Sequence, residues 1–272
     1  MDKLILMAVF AHPDDEAFGM GGTLTRYAAE GHEVYVVTAT RGEAGEIAEM
    51  NLATKANLPD VREEELRCAC RIYGVNPPIF LNYQDGQLTT VHQGQAVGKL
   101  VRLLRQIRPQ VVVTFGPEGI YGHYDHIAVH RWTTIAVKLA ADRSCFPDQR
   151  PDRCETHTVQ KLYYNVLSAE RAAAMAGDDP LAGVMMDDVP FPFVGYPAAQ
   201  ITTVIDVAPY AATKLAGIRC HATQVGREDV FGQAPEHILH DPWFTTESFI
   251  LANSTVGRPI DIENDLFWGL RQ

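Results

Sequence analysis

Apolar and polar positions alternate along the chain in blocks that have the lengths of strands and helices. The uninterrupted apolar run Lys3–Phe10 has the pattern of a strand covered on both faces. The next block, Glu16–Glu30, has helical spacing, with Asp14 or Asp15 as its N-cap and Gly31 as its stop. The alternation continues through the predicted strands Glu33–Thr40, Pro78–Asn82 and Gln110–Phe115 and the predicted helices Val61–Tyr73, Gly94–Ile107 and Asp125–Ala141. This order predicts an α/β fold with a doubly wound, mostly parallel sheet.

The pattern weakens beyond residue 142. The elements predicted there are the strands Lys161–Leu167 and Ile201–Val207 and the helix Ala208–Ala222. The segments predicted to be irregular are Ser144–Thr158, Gly177–Gln200 and Val225–Glu247. Irregular segments of this length in a compact domain are often functional lids. We therefore expect one domain, residues 1–272, with its core in about residues 1–170 and an elaborated C-terminal third in about residues 171–272.

Composition narrows the range of partners. The 272 residues include 23 lysines and arginines and 34 aspartates and glutamates, for a net charge of −11. Binding to nucleic acid or to an anionic membrane requires a surplus of basic side chains. The charge therefore argues against both and favours a small uncharged or cationic molecule.

The apolar segments of the chain and its cysteines indicate where in the cell the protein is expected. The apolar run before His12 is too short for a signal peptide, and no stretch approaches the roughly 18 apolar residues of a membrane helix. The chain has five cysteines and no C-x-x-C spacing. We expect reduced cysteines and a cytoplasmic location, with a Cys145–Cys154 disulfide as the alternative.

Residues suited to catalysis lie in two short segments, each directly after a predicted strand. Ala11–Glu16 follows the first strand, and Tyr121–His126 follows the fourth. In a doubly wound sheet ordered 3-2-1-4, ligands bind where the chain leaves the first and fourth strands in opposite directions. Because neighbouring strands lie about 4.8 Å apart, both segments are predicted to converge on one small ion.

Carboxylates and imidazoles packed together favour a divalent cation, because the cation removes the repulsion between the carboxylates. One carboxylate and two imidazoles leave Zn²⁺ with an open coordination position for water. Asp14 and Asp15 are neighbours, so one can ligate while the other serves as general base. His123 and His126 are three residues apart and share a helix face.

Simpler interpretations of single residues stay open. Asp14 and Asp15 are each suited to capping a helix, and His123 or His126 alone is an ordinary polar helix residue. His130, four residues after His126, is spaced to form a ligand pair with it but is expected to pack or to face solvent. Because Ala11–Glu16 and Tyr121–His126 occur together after predicted neighbouring strands, the metal site is favoured over these simpler interpretations.

Three other classes of protein fit parts of the pattern. A mononuclear Fe(II) oxygenase also uses two histidines and one carboxylate. A dinucleotide-binding oxidoreductase fits the fold, but Gly19–Leu24 lacks the third glycine of G-x-G-x-x-G, and nearby carboxylates would repel a pyrophosphate. A non-catalytic, metal-dependent sugar-binding protein is compatible with the same residues.

The motif His12-Pro13-Asp14-Asp15-Glu16, together with His123-x-Asp125-His126, resembles the signature of one family. This is the LmbE-like, or PIG-L, family of zinc-dependent N-acetylglucosaminyl deacetylases, which includes enzymes of mycothiol and bacillithiol metabolism. The resemblance covers about residues 3–170 and continues more faintly to residue 224. It implies a Rossmann-like α/β fold, one zinc ion per chain and hydrolysis of the acetyl amide of an N-acetylglucosamine conjugate.

The resemblance also implies a role for each matching residue. The implied zinc ligands are His12, Asp15 and His126. The implied catalytic residues are the general base Asp14, His123 with its supporting Asp125, which would act on the tetrahedral intermediate or the leaving amine, and the oxyanion-stabilising Tyr121. The implied sugar contacts are Glu43, Arg62 and Asp85.

Some positions keep a second interpretation. Arg62 precedes three consecutive glutamates, so a solvated helix face is its alternative. Lys214…His221-Ala222-Thr223-Gln224 resembles a K…H-x-S-Q element with threonine in place of serine, which leaves His221 open between facing the site and packing. An amidase of a thiol–sugar conjugate and a homo-oligomer also stay open, and the sequence does not identify the conjugate.

Overall fold

The computed structural model describes residues 3–152, 155–177, 183–186, 188–226, 230–233, 236–259 and 261–271. The strands are β1 Ile5–Phe10, β2 Glu33–Thr38, β3 Ile79–Phe80, β4 Val111–Phe115, β5 Lys161–Ser168, β6 Gly183–Met186, β7 Val189–Pro192, β8 Gly195–Tyr196, β9 Thr203–Asp206 and β10 Thr246–Ser254. The helices are α1 Asp15–Ala29, α2 Leu58–Tyr73, α3 Gln93–Ile107, α4 Gly119–Gly122, α5 Tyr124–Ala140, α6 Ala169–Ala176, α7 Ala211–Ile218, α8 Val230–Gln233 and α9 Pro242–Thr245. Within these ranges, none of the helices has both the length and the apolar composition needed to cross a membrane.

The main sheet is mixed and mostly parallel, as the alternation of strands and helices predicts. Its strand order is β3-β2-β1-β4-β5-β10-β9, and β8 pairs with β5 off this path. The pairs β1–β4, β4–β5 and β2–β3 are parallel, whereas β10 runs antiparallel to β5. All five residues of β4 are buried, which is why its sequence is apolar without alternation. The predicted order 3-2-1-4 is confirmed.

The chain forms two compact units. One comprises the described residues within 1–9, 88–204 and 248–272. In this unit α3 packs on α5, and a buried ion pair joins Lys161 Nζ to Glu263 Oε1 at 2.6 Å. Tyr163 and Thr203 donate to the other oxygen of Glu263, so this carboxylate has partners on three sides.

The second unit comprises the described residues within 10–87 and 205–247. In this unit α1 packs against α2 and α7. α1 has a kink at Met20, where the amides of Gly22 and Thr23 donate to the buried carboxylate of Glu247. Lys214 on α7 pairs with the same carboxylate at 2.8 Å, so the charge buried at the kink is neutralised. The expectation of a single domain stays a prediction.

Several elements differ from the sequence-based expectation. α2 begins at Leu58, three residues before the predicted start, because Pro59 suits the first helical turn. The segment predicted as the loop Gly177–Gln200 contains the β6–β7 hairpin, whose residues are half-buried or exposed and so lack the apolar run of a core strand. β10 was not predicted, because one of its buried positions is the charged Glu247 and one of its less buried positions is the apolar Ile250, so its sequence lacks a clear apolar–polar alternation.

The cysteine expectation was wrong at one pair. Cys68 in α2 and Cys220, just after α7, form a disulfide across 152 residues of sequence. Cys70 and Cys145 are free thiols, and Cys154 lies outside the described residues, so the alternative Cys145–Cys154 pairing stays untested. A pairing over so long a separation leaves no spacing signal in the sequence.

Candidate functional site

The loop between β1 and α1 carries the first group of predicted site residues. Asp14 occupies the N-cap position of α1, but its side chain makes no capping hydrogen bond. Its φ is +127°, a conformation that residues other than glycine rarely adopt. Asp15 Oδ2 accepts from the amides of His12 at 2.7 Å and Ala11 at 3.2 Å. The capping interpretation therefore does not account for the Asp14 side chain.

His12 is held by a carboxylate from a distant loop. Its Nε2 lies 2.9 Å from Asp85 Oδ1, and its Nδ1 lies 3.5 Å from Asp15 Oδ2. Asp85 Oδ2 accepts from the Ala44 amide, and the Asp85 amide donates to Glu43 Oε1. Burial by itself raises the pKa of Asp85, but the hydrogen bond and charge of His12 outweigh it and lower the pKa to about 2. Asp85 is thus an anionic partner that orients the His12 ring.

Arg62 is the cationic partner of Asp14. It is 2% exposed, so the interpretation as a solvated helix face is wrong. Its Nη2 donates to the Pro13 carbonyl and lies 3.1 Å from Asp14 Oδ2, and its Nη1 donates to the Gly42 carbonyl at 2.8 Å. Gly42 has φ +71°, and a Cβ there would clash with the guanidinium. The glycine is therefore required for Arg62 to reach Asp14.

The Asp14 carboxyl has a raised pKa. Desolvation raises its pKa, Arg62 opposes the shift and Asp15 adds to it, and the result is a pKa of about 6. A carboxyl with this pKa is mostly ionised at neutral pH, yet it is basic enough to accept a proton from water.

The second group of predicted site residues lies between β4 and α5. His123 is the N-cap of α5, and its Nδ1 accepts from the Asp125 amide at 3.1 Å. A neutral His123 ring that accepts at Nδ1 carries its proton on Nε2. Asp125 is 1% exposed, and its Oδ1 accepts from the Leu88 amide at 3.0 Å. The described contacts thus link Asp125 to His123 through the main chain of Asp125.

His126 is oriented by its neighbours. Its Nδ1 lies 3.2 Å from the Gly119 carbonyl, so in the neutral ring Nδ1 donates and Nε2 keeps its lone pair. The ring stacks on Phe115 at 4.0 Å and on His123 at 4.5 Å between centroids. Tyr121 contacts the same ring edge-on at 5.5 Å. These contacts fix the orientation of the His126 ring.

His130 packs, as the sequence indicates. Its Nδ1 lies 2.9 Å from the Phe115 carbonyl, and its ring contacts Tyr164 edge-on. Burial lowers the pKa of His130, so its neutral form is favoured at physiological pH. This histidine supports the end of β4.

Within the part of the chain that the structure describes, each compact unit carries side chains of the types that bind metal ions: His12 and Asp85 in one, and His123, Asp125 and His126 in the other. Imidazole nitrogens and carboxylate oxygens are donor types that zinc takes in proteins. His12 and His126, two of the predicted ligands, are among these candidates. Asp15 is not among them, so its assignment as a ligand stays a prediction.

Sequence reasoning missed one member of the site environment. Glu16 is 1% exposed, and its Oε1 lies 2.8 Å from His221 Nε2, while its Oε2 accepts from the Asp14 amide at 3.0 Å. Its adjacency to the two aspartates was the only available signal, because its partner lies 205 residues away.

Comparison with known proteins identifies the family. The family described as "PIG-L: GlcNAc-PI de-N-acetylase" matches residues 7–137. A "1D-myo-inositol 2-acetamido-2-deoxy-alpha-D-glucopyranoside deacetylase" of Streptomyces griseus is 39% identical, over 97% of this chain and 88% of its own length. The enzyme of the same name from Streptomyces avermitilis is 37% identical, over 97% of both chains. The chain belongs to the PIG-L family.

Solved structures show the fold of this PIG-L member in proteins with different activities. N,N'-diacetylchitobiose deacetylase from Pyrococcus horikoshii superimposes with a TM-score of 0.70 at 19% identity, covering 92% of this chain and 84% of its own. The 4-carboxy-2-hydroxymuconate hydratase GalB of Pseudomonas putida gives 0.68 at 19% identity, covering 94% and 99%. Because a hydratase shares the fold, the fold alone does not decide the reaction of a PIG-L chain.

Proposed function

We propose that this PIG-L chain is a metal-dependent deacetylase that hydrolyses the acetyl amide of N-acetylglucosamine linked to inositol. Water adds to the amide carbonyl, the C–N bond breaks, and acetate and a free amine leave. Similarity over nearly the full length to relatives named as deacetylases of that conjugate supports the substrate class. The observation that carries the reaction is the position of the Asp14 carboxylate, which lies 3.1 Å from the buried Arg62 guanidinium and is adjacent in the chain to Asp15.

We assign the metal to His12, Asp15 and His126 and propose zinc, one ion per chain. Two observations support the fit: His12 Nε2 is hydrogen-bonded to Asp85 Oδ1, and His126 Nδ1 donates to the Gly119 carbonyl. Both are the outer contacts that ligating histidines usually make. When bound, zinc supplies a Lewis acid that polarises the amide carbonyl and lowers the pKa of water.

The chain's own side chains move the protons. Asp14 accepts a proton from the attacking water, and Arg62 keeps the Asp14 carboxylate in place. His123 accepts from the Asp125 amide through Nδ1, and its Nε2 is proposed to deliver a proton to the departing amine. The Tyr121 hydroxyl donates to the developing oxyanion, and Phe193 packs edge-on against the Tyr121 ring at 5.8 Å.

Glu43, Arg62 and Asp85 are proposed to bind the sugar. Glu43 Oε2 is buried and has no hydrogen-bond partner within the described part of the chain, so it can accept from a sugar hydroxyl. Arg62 contacts Asp14, and Asp85 contacts His12. A sugar bound by Arg62 and Asp85 would therefore lie beside the catalytic residues.

We place the protein in the cytoplasm, acting on a small-molecule conjugate without a nucleic-acid or membrane partner, in line with its net charge of −11. Self-association into a homo-oligomer stays a prediction.

A substrate comparison tests this proposal. Zinc-loaded protein is incubated with N-acetylglucosaminyl-inositol, N,N'-diacetylchitobiose and free N-acetylglucosamine at matched concentrations, and free amine is measured. We expect kcat/KM for the inositol conjugate to exceed the others by at least about tenfold, because each added group contact is worth that order of discrimination. An equal or higher value for chitobiose would contradict the substrate assignment, and no amine from any conjugate would contradict the reaction.

A further inference from the structure

The buried pair of Glu16 and His221 lies directly behind the proposed general base. His221 is fully buried and Glu16 is 1% exposed, and their side chains meet at 2.8 Å. The residues come from the first turn of α1 and from the segment that follows α7, in the same compact unit. The family motif includes Glu16, but the proposed reaction gives neither residue a role.

Glu16 connects His221 to the main chain of Asp14. Glu16 Oε1 is hydrogen-bonded to His221 Nε2, and Glu16 Oε2 accepts from the Asp14 amide at 3.0 Å. Asp14 has φ +127° and ψ −29°, where a residue with a side chain is strained unless its surroundings hold it. The Glu16 carboxylate therefore holds the backbone conformation that sets the direction of the Asp14 side chain.

His221 is itself anchored to α2. The adjacent Cys220 is linked by the disulfide to Cys68 in α2. Two residues further on, Thr223 donates through its amide and its hydroxyl to Glu65 of α2, both at 2.7 Å. α2 also carries Arg62, which contacts the Asp14 carboxylate. The same helix thus holds Asp14 at its side chain through Arg62 and at its backbone through His221 and Glu16.

A packing role alone does not account for the polarity of the pair. Burying an ionisable pair carries a desolvation cost that apolar side chains of similar volume would avoid. Burial lowers the pKa of His221, but the charges of Glu16, Asp14 and Glu65 outweigh it and raise the pKa, which favours the cationic ring. His221 Nδ1 is buried without a hydrogen-bond partner within the described residues, so the ring is placed for its Nε2 contact to Glu16.

We propose that Glu16 and His221 are a positioning pair for Asp14, which holds the residue 14 backbone so that its carboxylate faces the attacking water. The inference rests on the proposed deacetylase function. A positioning pair acts on turnover more than on substrate binding, because a displacement of about 1 Å at a catalytic group can cost on the order of 10²-fold in rate.

The test compares His221→Leu with His221→Gln. Leucine fills the space without a donor, whereas glutamine keeps an amide donor for Glu16. We expect His221→Leu to lower kcat about 10²-fold, with KM within about twofold of the wild-type value. The kcat of His221→Gln should be at least about a tenth of the wild-type value. Glu263→Gln is the matched control, because it alters a buried carboxylate that pairs with Lys161 in the other compact unit. It should lower Tm and leave kcat unchanged.

A second readout does not depend on activity. The amide proton of residue 14, observed by NMR in the metal-free full-length chain, should lie downfield because it donates to a carboxylate. We expect it to move upfield in His221→Leu and, if that variant does not fold, in Glu16→Gln. An unshifted amide or an unchanged kcat in a folded variant would overturn the positioning role. If the wild type releases no amine, the deacetylase proposal fails while the amide shift still tests the inference.

Discussion

The guanidinium of Arg62 lies 3.1 Å from the carboxylate of Asp14, and only 2% of Arg62 is exposed. Two carbonyls also accept from this guanidinium, those of Pro13 and Gly42, so the cation is fixed in place. Desolvation raises the pKa of Asp14, and Arg62 is the largest opposing influence. If Asp14 is the base, as proposed, Arg62 is expected to set the pH at which it becomes active.

Replacing this cation should move the pH dependence of the reaction. In Arg62→Gln the influence that lowers the pKa of Asp14 is lost, so that pKa rises above about 6. The ascending limb of log(kcat/KM) against pH should then shift to higher pH, because Asp14 acts as a base only when ionised. Arg67→Gln, which alters a partner of Glu63 on the same helix, should leave the limb in place. An unshifted limb in Arg62→Gln would remove Arg62 from control of the base.

Asp85 should govern metal affinity through His12. Its carboxylate lies 2.9 Å from His12 Nε2 and orients the ring. Loss of such a partner typically weakens metal binding about 10- to 100-fold. Competition with a chelator should show a weakening of that size for zinc in Asp85→Asn, and none in the exposed Asp60→Asn. Unchanged zinc affinity in Asp85→Asn would show that zinc binding by His12 does not require the contact with Asp85.

The Cys68–Cys220 disulfide should stabilise the folded chain when it is formed. A cross-link over 152 residues of sequence restricts the unfolded state, and a typical contribution is about 2–4 kcal/mol. Addition of a thiol reductant should therefore lower Tm in the oxidised wild type. Cys68→Ser should start from the lower Tm and show no response, whereas Cys145→Ser, which alters a free thiol, should respond as the wild type does. A Tm that is independent of reductant in the wild type would exclude this role.

Local patterns were sufficient to predict the parts of the fold that lead to the site. The alternation of apolar strands such as β4 with helices such as α1 predicts a doubly wound sheet, whose order 3-2-1-4 the structure has. The catalytic roles of the two aspartates after β1 stay predictions. The alternative interpretation of Arg62 failed because three neighbouring glutamates look like a solvated face, although the arginine itself points inward.

What the sequence could not predict depends on contacts between distant segments. Glu16 and His221 are 205 residues apart, and Cys68 and Cys220 are 152 apart. β10 joins the sheet antiparallel to β5, and its mixed apolar and polar sequence does not identify that partner. Periodicity reports which face of an element is buried, whereas these pairings depend on tertiary packing.

The most direct test of the account is a comparison of wild type and Asp14→Asn for metal content and acetate release from N-acetylglucosaminyl-inositol. Asparagine keeps the shape of the side chain but cannot accept the proton of water. We expect both proteins to bind one zinc ion per chain, with turnover of the variant lower by about 10²- to 10⁴-fold. Near-wild-type acetate release by Asp14→Asn at full zinc occupancy would contradict the assignment of the base and the mechanism built on it.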